Sequence, residues 1–483
     1  MRKQQRTRIM ITEISKQHPI KKSFSICHLA FGVALLLLNS CSLYKNYERP
    51  SDIITDGIYG DMQTAGDNSL GDLKWRDIFT DPQLQALIER GLKQNSNMKN
   101  AELRIKEADY ALQCAKLAYV PTFYFNPSGT ISKIWDPYDR NTYSTGKTYS
   151  LPVTMSWQIG SIGSLRNNKK KAEVSREQLR NAKQAIQAQL VAGIASMYYN
   201  LAMIDEQLAL TQQTEQNWGK YLEMQKQLMD AGQGNLAAVA SIEATYYSIS
   251  TSVVSLKDNI HAVENALCTL IGETAGHIER SSLASFQTPA VCSTGMPITI
   301  LERRPDVRDA ELKLAAAFYD KNIALSGFFP QLTISATGQF TNSAGGAVIN
   351  PGVLIANAVA SLSQPIFANG RIRAQYKISK AEFEAATNDF QQAIISAGNE
   401  VNMAMDDIYV AREKQEFIDK QVESLTRALD ATEKLYANSA TNYLNVITAQ
   451  NSLLSAQMSQ ISNRMESITS TIDLYQALGG GAE

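Results

Sequence analysis

Histidine and cysteine are scarce in this chain, and no arrangement of them makes a reactive centre. Of four histidines and five cysteines among 483 residues, only His261, His277, Cys114, Cys268 and Cys292 lie beyond Cys41. Three cysteines without a CxxC pair argue against a disulfide framework and against a cysteine-based metal site. Serine, histidine and aspartate are scattered without a nucleophile turn, and no glycine-rich phosphate loop follows a strand. Neither an enzyme nor a cofactor is expected, and no catalytic or metal-binding residue is assigned. A formal net charge of −1 gives no reason to invoke a nucleic-acid partner. Beyond Cys41 no apolar run is long enough for a transmembrane helix, so any further membrane contact has to come from strands.

What is present begins at the N-terminus. Lys21 and Lys22 precede the run Phe31–Leu38, which is too short to span a bilayer but suits the core of a secretory signal. Leu38-Asn39-Ser40-Cys41 resembles a bacterial lipobox, whose cysteine is diacylated and becomes the new N-terminus. The expectation is a signal peptide over 1–40 and a lipidated tether over 41–75, polar and broken by Pro50, Gly57, Gly60 and Gly71. Two acyl chains hold a protein firmly to a membrane where one does not.

A first helix is expected from Thr80-Asp81-Pro82, a capping side chain before proline at the first helical position, to about Val120, where Pro121 stops it. Alternation of period two follows at Phe123 and Phe125. It returns after a polar loop with Tyr149, Leu151, Val153, Met155, Trp157 and Ile159 on one face and Ser150, Thr154, Ser156 and Gln158 on the other. This pattern fits a transmembrane β-hairpin and equally a half-buried hairpin of a soluble sheet. From about Arg166 no proline occurs until Pro289, and Gly232-Gln233-Gly234-Asn235 divides the helical stretch. The part before the break, about 64 residues, would be roughly 95 Å long. The part after it carries a seam from Leu236 through Val239, Ile242, Tyr246, Ile249 and Val253 to Leu267, in steps of three and four.

The order then repeats. Leu301–Phe329 reads as a helix ended by Pro330. Leu332, Ile334, Ala336, Gly338 and Phe340 alternate with Thr333, Ser335, Thr337, Gln339 and Thr341, and Val353–Leu362 is a fourth apolar segment whose facing stays open. A long helix over Arg371–Ala437 precedes a last one with a seam through Leu444, Ile447, Asn451, Leu454, Met458, Ile461, Met465, Ile468 and Ile472. Pro121 and Pro330, Arg166 and Arg373, Leu228 and Leu435, and Asn235 and Asn442 stand 207 to 209 residues apart. The chain is therefore read as a tandem duplication, with repeats over 76–290 and 291–483. Helices this long must pack laterally on one another. Four strands cannot close in lipid without unsatisfied edges, and the smallest membrane barrels have about eight strands, so membrane insertion demands more than one copy.

The strings Cys41-Ser42-Leu43, Trp75-Arg76-Asp77-Ile78-Phe79, Asp81-Pro82-Gln83-Leu84, Arg303-Arg304-Pro305-Asp306-Val307, Phe328-Phe329-Pro330 and Pro365-Ile366-Phe367 resemble those of the TolC-like outer-membrane efflux factors. Within that family the likeness is to the OprM/NodT-type lipoprotein branch. The resemblance covers the chain from Cys41 onward. It implies a mainly α protomer of long coiled-coil helices and two β-hairpins, three copies of which form a 12-strand β-barrel on a 12-helix α-barrel. It further implies the outer membrane of a Gram-negative bacterium, a periplasmic adaptor protein and an inner-membrane pump, most simply of the RND type.

Two turns draw attention, Gly232-Gln233-Gly234-Asn235 and Ser439-Ala440-Thr441-Asn442. In the family such turns form the periplasmic tip that meets the adaptor; from the residues alone, docking turns and plain structural turns are both open. Relatives read Tyr-Leu-Asp-Val-Leu-Asp-Ala-Gln where this chain has Tyr443-Leu444-Asn445-Val446-Ile447-Thr448-Ala449-Gln450. The likeness implies a channel constriction at Leu444 and Thr448, one helical turn apart, with both acids replaced by neutral residues. Leu444 reads equally as seam packing. Arg304-Pro305-Asp306 reads as a helix start rather than an anion site. The function expected is a passive exit duct for small molecules, driven by the inner-membrane pump. A type I secretion exit for polypeptides and a structural lipoprotein spanning the periplasm are the alternatives.

Overall fold

The computed structural model describes residues 44–50, 74–135, 138, 143–161, 163–283, 286, 303–341, 353–438 and 442–480. The helices are α1 (Trp75–Ile78), α2 (Pro82–Gln94), α3 (Ser96–Leu117), α4 (Ser164–Asp230), α5 (Leu236–Ile271), α6 (Pro305–Ser326), α7 (Arg371–Ala437) and α8 (Tyr443–Ala477). The strands are β1 (Thr122–Phe125), β2 (Ser128–Trp135), β3 (Tyr143–Ser161), β4 (Gln331–Thr341) and β5 (Val353–Ser363). Lengths match across the duplication: α3 and α6 have 22 residues each, α4 and α7 have 67 each, and α5 and α8 have 36 and 35.

The chain divides into two compact units, and each draws on both repeats. The first holds the sheet, with order β1/β2–β3–β4–β5, antiparallel throughout. β1 and β2 keep one register against β3 although Asn126 and Pro127 interrupt them: Phe125 faces Val153 and Ser128 faces Ser150. Proline has no N–H for the ladder, so what the sequence suggested as one strand is broken there without a change of face. β3 also begins six residues earlier than expected, because Tyr143–Thr148 find partners in β2. The described start of the tether is packed. Tyr44 is buried against Gly163, Asn46 accepts from Arg166 (3.0 Å), and the Tyr47 ring meets Phe318 at 5.8 Å between centroids.

The second unit is helical. Its core gathers Phe79, Leu84 and Ile88 from the α1–α2 region, Val191, Ile194 and Tyr198 from α4, Leu267 and Ile271 from α5, and Ile468 and Ile472 from α8. Trp75, placed in the tether by the sequence reading, belongs instead to α1 and this core. The Tyr198 hydroxyl donates to Asp81 (2.7 Å) and accepts from the Ser281 N–H (2.8 Å), and burial lifts its pKa to about 12.

The single first helix expected from the sequence is two. Asn95 ends α2 by donating its N–H to Gly91, and its side-chain oxygen then accepts from Asn97 and Met98 to cap α3. Its amide donates to the Leu270 carbonyl (2.7 Å), which ties the break to the end of α5. An internal asparagine prefers such a cap to a helix interior. In the second repeat the helix begins at Pro305 and ends at Ser326, shorter than Leu301–Phe329; Leu301 lies outside the described residues.

Candidate functional site

The sheet is two-faced, and its register settles which residues share a face, since directly paired residues of an antiparallel ladder point the same way. Phe340 pairs with both Leu151 and Leu354, Ala336 with Met155 and Ala358, and Ile334 with Trp157 and Ala360. One face is therefore apolar across β1, β4, β5 and the Tyr149–Trp157 stretch of β3, from Phe123 and Phe125 to Leu362, with Lys147 and its neighbour Lys133 on the same side only where β3 pairs with β2. It is uncovered: Phe123, Phe125, Leu151, Val153, Phe340, Leu354 and Leu362 are all exposed. A contiguous exposed apolar patch of this kind marks a membrane or protein contact.

The opposite face carries Thr122, Ser150, Thr154, Ser156, Gln158, Thr333, Ser335, Thr337, Gln339, Asn357 and Ser361, with no acidic or basic residue among the described positions of its strands. Ile355 and Val359 fall on this polar face. The pairing thus fixes the facing of the fourth apolar segment, which its own composition left open. A concavity of about 840 Å³ opens on the polar side, bordered by Thr122, Tyr124, Ser156, Gln158 and Gln331. Among the described residues, both outer strands, β1/β2 and β5, leave one ladder edge unpaired.

Turning to the helical turns, α4 ends in a Schellman arrangement, with Gln233 N–H on the Leu228 carbonyl (2.9 Å) and Gly232 N–H on that of Met229 (3.0 Å). Gly232 has a φ of 73°, and a Cβ on Gly234 would lie 2.8 Å from the Met229 backbone nitrogen. Asn235 then caps α5 by accepting from Ala238 N–H (2.8 Å). Asn442 caps α8 in the same way, accepting from Asn445 N–H (3.2 Å). Ser439, Thr441 and Cys41 lie outside the described residues.

At the start of α8, Leu444 is 55% exposed, and Asn445 and Thr448 are exposed as well. The side chains that pack on Trp218, Leu222, Val239, Ile242 and Ile249 are Tyr443 and Ile447. Within the chain Leu444 is therefore not part of the seam, because Tyr443 and the buried Val446 take the inward positions. The Thr448 hydroxyl donates to the Leu444 carbonyl (2.9 Å), leaving a neutral, hydroxyl-bearing turn.

Two buried arginines were missed as organising residues. Arg304 is more than a helix start: it forks onto Asp306 (2.9 and 2.7 Å), reaches Glu400 (2.5 Å) and donates to the Ala477 carbonyl (2.8 Å), joining α6, α7 and the end of α8. Burial alone would raise the Asp306 pKa, but the hydrogen bonds and charge of Arg304 outweigh it and hold the carboxyl below its usual range. Arg280 forks onto Asp205 and reaches the buried Glu264 (2.6 Å), which His277 also contacts (2.8 Å). Burial pushes Glu264 up, and Arg280, the Ile278 N–H and His277 together bring it below the ordinary value. The partners that make these arginines organising residues, Glu400 for Arg304 and Asp205 for Arg280, lie 96 and 75 residues away and leave no local pattern to read.

Residues 87–273 and 297–480 match the outer membrane efflux protein family. The chain is 26% identical over 466 residues to the cation efflux system protein CusC of Escherichia coli O6:H1 (strain CFT073), covering 95% of this chain and 99% of that one. It is 26% identical over 471 residues to the pyoverdine export outer membrane protein OpmQ of Pseudomonas aeruginosa PAO1, covering 95% and 97%. In fold it matches the crystal structure of the open state of the Neisseria gonorrhoeae MtrE outer membrane channel. There the TM-score is 0.80 at 22% identity, over 92% of this chain and 99% of that one.

Proposed function

Because the chain belongs to the outer membrane efflux protein family, we propose that it is the outer-membrane exit duct of a tripartite efflux pump, acting as a trimer whose copies share one β-barrel. The observation that carries this reading is the sheet. Its apolar face suits lipid, its uncharged polar face suits a water-filled lumen, and its two free edges suit closure by further copies. Heptad-spaced exposed residues supply candidate helical seams, Leu103, Tyr110 and Leu117 on α3 and Met403, Val410 and Phe417 on α7. A copy number of three rests on the resemblance to the family.

The duct has no energy source of its own. An inner-membrane pump of the RND type drives cargo through a periplasmic adaptor that engages the α4–α5 and α7–α8 turns, and Cys41 carries the lipid anchor. CusC is named for cation efflux and OpmQ for pyoverdine export, although both align with nearly the whole chain. Cargo as different as this supports placing the choice of substrate in the pump, with small molecules as the class carried. Negative-stain imaging of the detergent-purified protein tests the reading. A three-fold ring around a lumen is expected, and monomers or rods without a lumen would overturn it.

A further inference from the structure

The two hairpins hand over to their long helices at matching positions, and the two handovers differ in charge. At the start of α4 the three lysines are matched by carboxylates inside the chain: Lys169 and Lys170 share Glu173 (3.7 and 2.9 Å) and Lys171 meets Asp320 (2.7 Å), while Arg166 donates to the neutral Asn46 (3.0 Å). At a spacing of 207 residues, Arg373 stands for Arg166, Lys377 for Lys170 and Lys380 for Glu173. The carboxylate that neutralises the first set is a lysine in the second. Lys380 reaches Glu384 (3.6 Å), with Glu382 nearby in sequence. Arg371, Arg373 and Lys377 are exposed and have no ion-pair partner among the described residues. Arg373, Lys377 and Lys380 fall at i, i+4 and i+7, on one side of α7. Just before them Ile366 is 99% exposed and Phe367 83%, following the apolar face of β5 that ends at Leu362.

We propose that the segment from Ile366 to Lys380 is a membrane-surface anchor selective for anionic phospholipid. It rests on the barrel reading above, in which the apolar face of β5 meets lipid. Ile366 and Phe367 enter the boundary between headgroups and acyl chains, while Arg373 and Lys377, with Arg371 beside them, hold the negative headgroups. A second copy of the chain is the rival occupant, and charge decides against it. The opposite sheet edge, residues 110–135, contains no aspartate or glutamate with which to neutralise these cations, and the carboxylate just before it, Asp109, already faces Arg176 (3.8 Å).

The test reconstitutes the full mature protein into nanodiscs of phosphatidylethanolamine with phosphatidylglycerol as the minor lipid. After extraction, the ratio of the two lipids retained on the protein is read by mass spectrometry. The wild type is expected to hold phosphatidylglycerol well above its share of the disc. At about fivefold per basic residue near an anionic surface, Arg373→Gln/Lys377→Gln is expected to lose this enrichment by about 25-fold. The exchange Arg373→Lys/Lys377→Arg should keep it, and Ile366→Ser/Phe367→Ser should lower retention of both lipids together. A retained ratio equal to that of the disc, or an unchanged ratio in the glutamine variant, overturns the anchor alone. Failure of the wild type to enter the discs at all overturns the barrel reading and the anchor with it.

Discussion

At the scale of single residues, the buried Arg280–Glu264 contact and the neutral Thr448 make the sharpest claims. Both partners of the first are almost wholly enclosed, at 8% and 6% side-chain exposure. Removing the guanidinium strands a buried carboxylate. Arg280→Met is therefore expected to cost about 3 kcal/mol, read as a clear drop in Tm in detergent. A Tm within error of the wild type would show that Glu264 is relieved some other way. The depressed pKa values of Glu264 and Asp306 set the acid side of stability. Their contribution is complete above the unfolded carboxylate values near 4 and is lost as pH falls through the lower folded values. Thermal stability should therefore hold down to about pH 5 and decline below about pH 4, where a curve still flat would contradict the assignment. Thr448 provides no charge at the expected constriction. In planar bilayers under a salt gradient the wild-type reversal potential should sit near zero, and Thr448→Asp should move it toward the cation potential. Strong cation selectivity in the wild type, lost in Thr448→Ala, would refute this account.

At the scale of elements, the limits of the two long helices and the start at Pro82 were legible because their signals are local. Asp81-Pro82, the glycine and asparagine turn at 232–235, and the proline-free run from Arg166 each act through their own backbone. The split at Asn95 escaped because asparagine inside a periodic stretch becomes a cap only when something holds its amide, and here the Leu270 carbonyl does so. The facing of β5 escaped for a related reason. Its residues are apolar or small on both sides, and only pairing with Leu332–Phe340 assigns them. The exposed seams of α3 and α7 yield a prediction at this scale. Tyr110→Asp combined with Met403→Asp should leave helix content unchanged by circular dichroism but shift the purified protein from trimer to monomer in light scattering. Trimers persisting in that variant would mean the copies meet along other faces.

For the molecule as a whole, the repeat is a unit of sequence, whereas the compact units of structure each combine pieces of both repeats. Each hairpin has two edges, and β3 meets β4 to use one edge of each in a single sheet. Duplication therefore doubles the strands but still leaves two free edges, and closure in lipid needs further copies. The amino-acid order by itself determined the kinds of element, their order along the chain and the two faces of the better-patterned strands. These follow from backbone preference and apolar period. Only the tertiary structure decided the register of the sheet, the position of Leu444 outside the seam, and the buried arginines that join remote helices. Each of these depends on groups far apart in the chain that meet only when packing brings them together.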